Sequence, residues 1–199
     1  TNATFYSDIR LPDKYRVGEV NAGWKLITGQ LNIERLSLFT HGQVDSLYQG
    51  VCEWAAETPA PGGGKIIELP WVQHNLAKVK TGLEVVKLIC WKQAWTMDQG
   101  PLNMADASVA KVYSSEFFVE LYRMLLEVMG QAGTIATHSP GAVLKGKLEF
   151  RWRVGAVLTF GGGANEMIRV YDLVTMQTRG EHTLDRILAP LFPFGAVPG

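Results

Sequence analysis

Cysteine is scarce in this chain: Cys52 and Cys90 stand alone, with no CxxC or other ligand spacing around them. That excludes a disulfide scaffold and a thiolate-built metal site, and reads as reduced core thiols of a cytoplasmic protein. Clustered charge of one sign is missing as well. Lys plus Arg and Asp plus Glu number 19 each, the net charge is +0, and no basic run occurs. Nucleic acid and the membrane surface are thereby set aside as main partners. No apolar run reaches the roughly 20 residues a membrane-spanning helix needs, and no signal-peptide pattern opens the chain. His41, His74, His138 and His182 show no ligand spacing, so no metal is expected. Internal repeats and low-complexity segments are absent. The chain does not open on Met, which raises the expectation of a piece of a longer protein.

What is present is the composition of a packed domain: 47% hydrophobic and 19% charged over 199 residues. Thr4 to Arg10 alternates and stops at Leu11-Pro12, as one strand would. Asn21 is placed to cap a first long helix, with Trp24, Ile27 and Leu31, then Val44, Leu47, Val51 and Trp54 at steps of three and four. Thr58 to Gly64, rich in Pro and Gly, is a break. From about Pro70, Val72, Leu76, Val79, Leu83, Val86 and Cys90 trace a bundle seam. Gly100-Pro101 separates it from a third helix carrying Phe117, Leu121, Met124, Leu125 and Val128, which ends near Gly130 and Gly133. Trp91 and Trp95 fall off the seam and mark a second face for a subunit contact.

The densest local signal is Phe160-Gly161-Gly162-Gly163-Ala164-Asn165-Glu166, a glycine loop that opens a short helix from Glu166 to Tyr171. Glycine lets backbone approach a ligand closely, and a helix start presents free N–H groups to an electron-rich one. Three long antiparallel helices plus this short one give the expected fold class: all-α, an antiparallel four-helix bundle with a short N-terminal extended segment.

The order of these parts resembles the C-terminal half of an acyl-CoA dehydrogenase. Phe5-Tyr6-Ser7-Asp8-Ile9-Arg10-Leu11-Pro12 is similar to the strand that closes that family's middle β-domain. Gly18 to Trp24 is similar to the entry into its first long helix, and Leu31-Asn32-Ile33-Glu34-Arg35 to the active-site helix. Ala105, Ala107 and Lys111 fit the third helix. Arg153, the glycine loop and Glu166 to Arg169 fit the motif that carries the catalytic Glu in many members. The resemblance implies three stretches: residues 1–20 as the end of the β-domain and a linker, 21–180 as the helical bundle, and 181–199 as a tail unlike the family's usual one.

It also implies a chemistry: flavin-dependent α,β-dehydrogenation of an acyl-CoA thioester, with an electron-transfer flavoprotein as the electron acceptor. A carboxylate in a dry pocket removes the α proton. The usual position of that base is Gly162 here, so it is missing. Isovaleryl- and long-chain-type members place the base on the first bundle helix, just before an Arg. Glu34 followed by Arg35 matches that position, so Glu34 is the expected base and Arg35 a structural residue. Gly162, Gly163, Ala164 and Glu166 match positions that hold a subunit's own FAD, although Ala164 lacks the usual hydroxyl.

The half of the family's FAD site supplied by a neighbouring subunit fares worse. Its Arg and Phe have no counterpart in Thr58 to Gly62. Its Gln is replaced by Glu127, and of its Gly-Gly only Gly130 remains, Gln131 standing for the second. A carboxylate beside a pyrophosphate is repulsive. The pattern resembles steroid-degrading actinobacterial acyl-CoA dehydrogenases, in which two unlike subunits share the flavin sites. It implies a homo- or hetero-oligomer with another acyl-CoA dehydrogenase subunit, the lost contacts favouring the second. The alternative implied is a non-catalytic structural partner subunit of such a heteromer.

Overall fold

The computed structural model describes residues 2–37, 41–100 and 104–169. Among them run five α-helices: α1 Gly23–Ser37, α2 His41–Glu57, α3 Pro70–Gln99, α4 Met104–Met129 and α5 Lys147–Gly155, joined by short 3-10 turns. Residues 165–169 are helical again. No strand occurs among the described residues, where the one β pairing is an isolated bridge between Pro59 and Lys65. The all-α expectation holds.

The core lies where the stripes put it. Val44, Leu47 and Val51 of α2 meet Val72, Leu76, Val79, Leu83 and Val86 of α3 and Leu121, Met124, Leu125 and Val128 of α4, all buried. Each such side chain contributes about 1.5–3 kcal/mol by leaving water. Trp54, Cys90 and Phe117 pack half-buried at its edge. The pairing of α3 with α4 is antiparallel. Gln93 Nε2 donates to the Asp106 carbonyl at 2.9 Å, Gly82 faces Phe117, and Asn75 Nδ2 donates to Glu127 at 3.2 Å, so one number falls as the other rises. A Cβ on Gly82 would overlap the Phe117 ring, so glycine sets the closest approach of the two helices.

Between α2 and α3 the break forms as expected. Gly62, Gly63 and Gly64 take φ of 92°, 107° and 74°, a run that only glycine adopts without steric cost. Thr58 Oγ1 closes α2 on the Trp54 carbonyl at 2.7 Å. Pro70 then opens α3 at its first turn, where no N–H bond is lost.

Three expectations are corrected. Residues 4–10 form no strand. Phe5, Tyr6 and Ile9 are exposed and Asp8 takes a φ of 51°, because a strand needs a partner edge and the described residues offer none. Asn21, with a φ of 64°, turns the chain, and the carbonyl of Ala22 accepts the first N–H bonds of α1. The fourth helix to enter the core is α5, through Leu148, rather than the stretch after the glycine loop, which adds only Ile168.

Trp24, 80% exposed, and Ile27, 42% exposed, lie open although they keep helical spacing. Residues 170–199, with Tyr171 and the 181–199 tail, lie outside the described residues.

Candidate functional site

The glycine loop starts from a 3-10 turn, Ala156–Thr159, that continues α5. The Val157 carbonyl accepts from Phe160 N at 3.3 Å and Gly161 N at 2.7 Å, and Gly163 N donates to the Phe160 carbonyl at 3.1 Å. Gly162 and Gly163 have φ of 73° and 109°. The chain therefore reverses twice within the loop before turning helical at Asn165, a path closed to side chains with a Cβ except at the cost of strain.

Beneath the loop sits Lys111 of α4, with no solvent exposure. Its ammonium donates to the Thr159 carbonyl at 3.1 Å, the Gly163 carbonyl at 2.6 Å and Asn165 Oδ1 at 2.5 Å. Those are three acceptors for three N–H bonds. Moving an ammonium out of water costs several kcal/mol, and three charge-assisted bonds of about 1.5–3 kcal/mol each offset it.

Asn165, 1% exposed, continues the network. Its Nδ2 donates to Ser115 Oγ at 3.0 Å and to Glu116 Oε1 at 3.2 Å, while Arg169 holds the other Glu116 oxygen at 2.7 Å. Lys111, Ser115 and Glu116 lie within six residues on α4, so that stretch of the helix grips both the loop and the helix after it.

The expected cofactor positions are brought together here. Gly162 and Gly163 form the loop, Ala164 is half-buried at its end, and Glu166 is exposed in the first turn that follows. Glu34 is exposed on α1, which packs on α4, the same helix that carries Lys111. The side chain of Arg35 lies outside the described residues.

The positions expected to meet a neighbouring subunit's FAD, here called the clamp, sit at the far end of α4. Gly130, exposed with a φ of 54°, ends the helix. Glu127 is paired with Arg123, which also forks onto Glu120 and accordingly has its pKa raised. Arg123 stands one turn before Glu127 on the same helix and balances its charge locally. Exposed pairs of this kind contribute about 0.2–1 kcal/mol.

Two features escaped the sequence reading. The sequence puts Lys111 on the third of its expected helices, but nothing in its neighbourhood in the chain signals that it reaches residues some fifty positions later. The other is a cleft of about 660 Å³ between α2 and α5, with Lys145, Lys147 and Arg151 on its lining beside Leu47, Leu144 and Phe150. Leu144 and Lys145 have φ of 50° and 57° there. Gly146 follows because a Cβ would strike the Ala136–Thr137 backbone.

A helical domain whose helix α4 holds a glycine loop through a buried Lys has clear relatives. Residues 21–171 match the family described as acyl-CoA dehydrogenase, C-terminal domain, and the chain belongs to the acyl-CoA dehydrogenase family. Members are FAD-dependent oxidoreductases of acyl-CoA thioesters. The chain is 47% identical over 184 residues to acyl-CoA dehydrogenase FadE26 of Mycobacterium tuberculosis, covering 90% of this chain and 45% of that protein. Its fold superposes with a TM-score of 0.78 on a chain of the ChsE4–ChsE5 complex from Mycobacterium tuberculosis, at 46% identity over 90% of this chain and 46% of the other. A G363A variant of the Tcur3481–Tcur3483 steroid acyl-CoA dehydrogenase gives 0.78 at 39% identity, with 90% and 45% covered. The chain thus spans about half the length of the relatives it matches. Among the described residues no helix is long and apolar enough to cross a membrane, and no cluster of metal-ligating side chains occurs.

Proposed function

We propose that this chain is the C-terminal part of an FAD-dependent acyl-CoA dehydrogenase that acts in the cytoplasm as one of two unlike subunits, with Glu34 as the base. The observation that carries the reading is the glycine loop at Gly162 and Gly163. Neither residue carries a Cβ, both take positive φ, and a helix starts just after them. That cradle fits a flat ring edged with hydrogen-bond acceptors and its polyol chain, so Gly162, Gly163, Ala164 and Glu166 are the residues that would hold the subunit's own FAD, with Gly130 reaching the partner's.

When bound, FAD supplies the acceptor for the hydride that leaves the β carbon. The part left to this chain is proton transfer and placement. Glu34 takes the α proton of the acyl thioester, and its carboxylate needs the remaining walls of the pocket to become dry. With Gly162 in the loop, no second carboxylate competes at the opposite position. Reducing equivalents then pass to an electron-transfer flavoprotein. The kinship with chains of the ChsE4–ChsE5 and Tcur3481–Tcur3483 assemblies supports a heteromer and a steroid or fatty acyl-CoA substrate. Trp91 and Trp95, 57% and 66% exposed on α3, are the proposed contact with the second subunit. Residues 1–20 act as the lead-in from the preceding β-domain and 21–180 as the bundle.

A second reading, a structural partner subunit without catalysis, is favoured by one observation only, the carboxylate of Glu127 at the clamp. Co-expression of the full-length protein with a neighbouring acyl-CoA dehydrogenase gene, followed by flavin stoichiometry and complex mass, separates the two. One flavin per copy of this chain in a mixed complex is the expected result. A flavin-loaded oligomer of this chain alone refutes the heteromer, and a mixed complex whose activity survives Glu34→Gln refutes the catalytic role.

A further inference from the structure

We propose that Lys111 is the positioning residue of the glycine loop, its buried ammonium fixing the backbone of residues 160–164 in the one shape that meets the flavin and the thioester. The proposal rests on the functional reading above, but its first test does not. Three glycines in a row have more backbone freedom than any other residues, so a defined loop shape requires an outside anchor. Lys111 is that anchor. It bonds the Thr159 carbonyl just before the loop and the Gly163 carbonyl at its end, and through Asn165 Oδ1 the helix that follows.

A trans peptide points its N–H opposite its carbonyl. With the Gly163 carbonyl turned down onto the ammonium, the Ala164 N–H faces the outer side of the loop. Binding the carbonyl to a cation also polarises that peptide and strengthens the outward donor. A spacer role alone would be met by an apolar side chain of similar length at lower desolvation cost. The observed choice is a charge that donates to the residue before the loop, to the loop's end and to the helix that follows.

Asn165 makes the arrangement directional. Its oxygen accepts from Lys111 and its nitrogen donates to Ser115 and Glu116, so an aspartate there would accept from the lysine but lose both donations and oppose Glu116.

The test uses the full-length protein and its Lys111→Met variant. Amide hydrogen exchange of the peptide covering residues 160–164 is expected to rise about tenfold or more, since losing one charge-assisted bond of the set is worth at least that factor, while exchange in α3 is unchanged. In the flavin-loaded enzyme, kcat should fall about 10–100-fold with KM for the acyl-CoA within a factor of about three, the split expected of misplacement rather than lost binding. Unchanged exchange at 160–164 in a folded Lys111→Met protein overturns the proposal.

Should that variant fail to fold, Asn165→Ala decides, because it removes one acceptor and leaves two. A several-fold rise in loop exchange supports the proposal, and none overturns it. If the wild-type protein dehydrogenates no acyl-CoA, the functional reading fails while the exchange result still judges the role of Lys111.

Discussion

Arg123 holds the carboxylate of Glu127 from one turn earlier on α4. The acidic side chain at the clamp position is therefore not a bare charge facing a phosphate. It is half of an exposed pair that Glu120 shares. Two consequences can be measured. Arg123→Ala should cost the fold less than about 1 kcal/mol, because exposed pairs are screened. The same change should weaken flavin retention in the assembled oligomer by about tenfold or more, since it leaves an uncompensated carboxylate near the pyrophosphate. Glu127→Gln should strengthen retention. Dialysis against apo-flavodoxin with absorbance of the retained flavin reads both, and retention unaffected by either change would remove Glu127 from the flavin's surroundings.

Glu34→Gln in the full-length enzyme should keep its flavin and lose about 10²–10⁴-fold in rate, the usual contribution of a general base. Turnover within a factor of about two of wild type would reject Glu34. Gly162→Glu should partly restore the double variant. The restoration carries a stability cost of about 1–2 kcal/mol, because the φ of 73° at Gly162 suits no residue with a Cβ. A thermal melt of Gly162→Glu alone checks that cost independently of activity.

Gly82→Ala should destabilise the fold by about 1–2 kcal/mol. The added methyl meets the Phe117 ring across the α3–α4 contact, and overpacking outweighs the roughly 1 kcal/mol that alanine gains in a helix. Phe117→Leu in the same protein should recover most of the loss. A Gly82→Ala protein that melts at or above the wild-type temperature would show that the ring moves aside freely.

Burial pushes the Tyr48 phenol up to about 12, with its hydrogen bond to Cys52 adding to the effect. Burial also raises the Cys52 thiol, and the Tyr48 bond offsets part of that rise. A phenol whose folded pKa lies above its unfolded value of about 10 holds its proton more tightly in the native state. Its stabilising contribution is therefore complete below about pH 10 and fades as pH rises toward 12. Because Tyr48 is only half-buried, solvent screening leaves a fraction of the full linkage. Urea unfolding between about pH 9 and about pH 11.5 should show falling stability, with a shallower fall in Tyr48→Phe. Parallel slopes for the two proteins would count against it. Both thiols are shifted upward by burial, so Cys52 and Cys90 should react slowly with a thiol reagent at neutral pH.

Periodicity alone determined most of the scaffold. The steps of three and four from Val72 to Val86 and from Leu121 to Val128 name buried residues almost one for one, because a 3.6-residue repeat leaves a helix a single apolar face to hide. The glycine loop at Gly162 and Gly163 and the break at Gly62 to Gly64 were equally legible, since no other residue takes those φ values cheaply.

Tertiary structure decided the rest. The helix α5 has only Leu148 and Gly155 buried, too little to show as a stripe. Residues 4–10 alternate as a strand does, yet pairing depends on a neighbouring edge rather than on the pattern. Above all, Lys111 reads in the chain as one more cation on a helix. It becomes the support of the glycine loop only because folding brings Thr159, Gly163 and Asn165 onto it from some fifty residues away, and local sequence carries no record of a contact made across that distance.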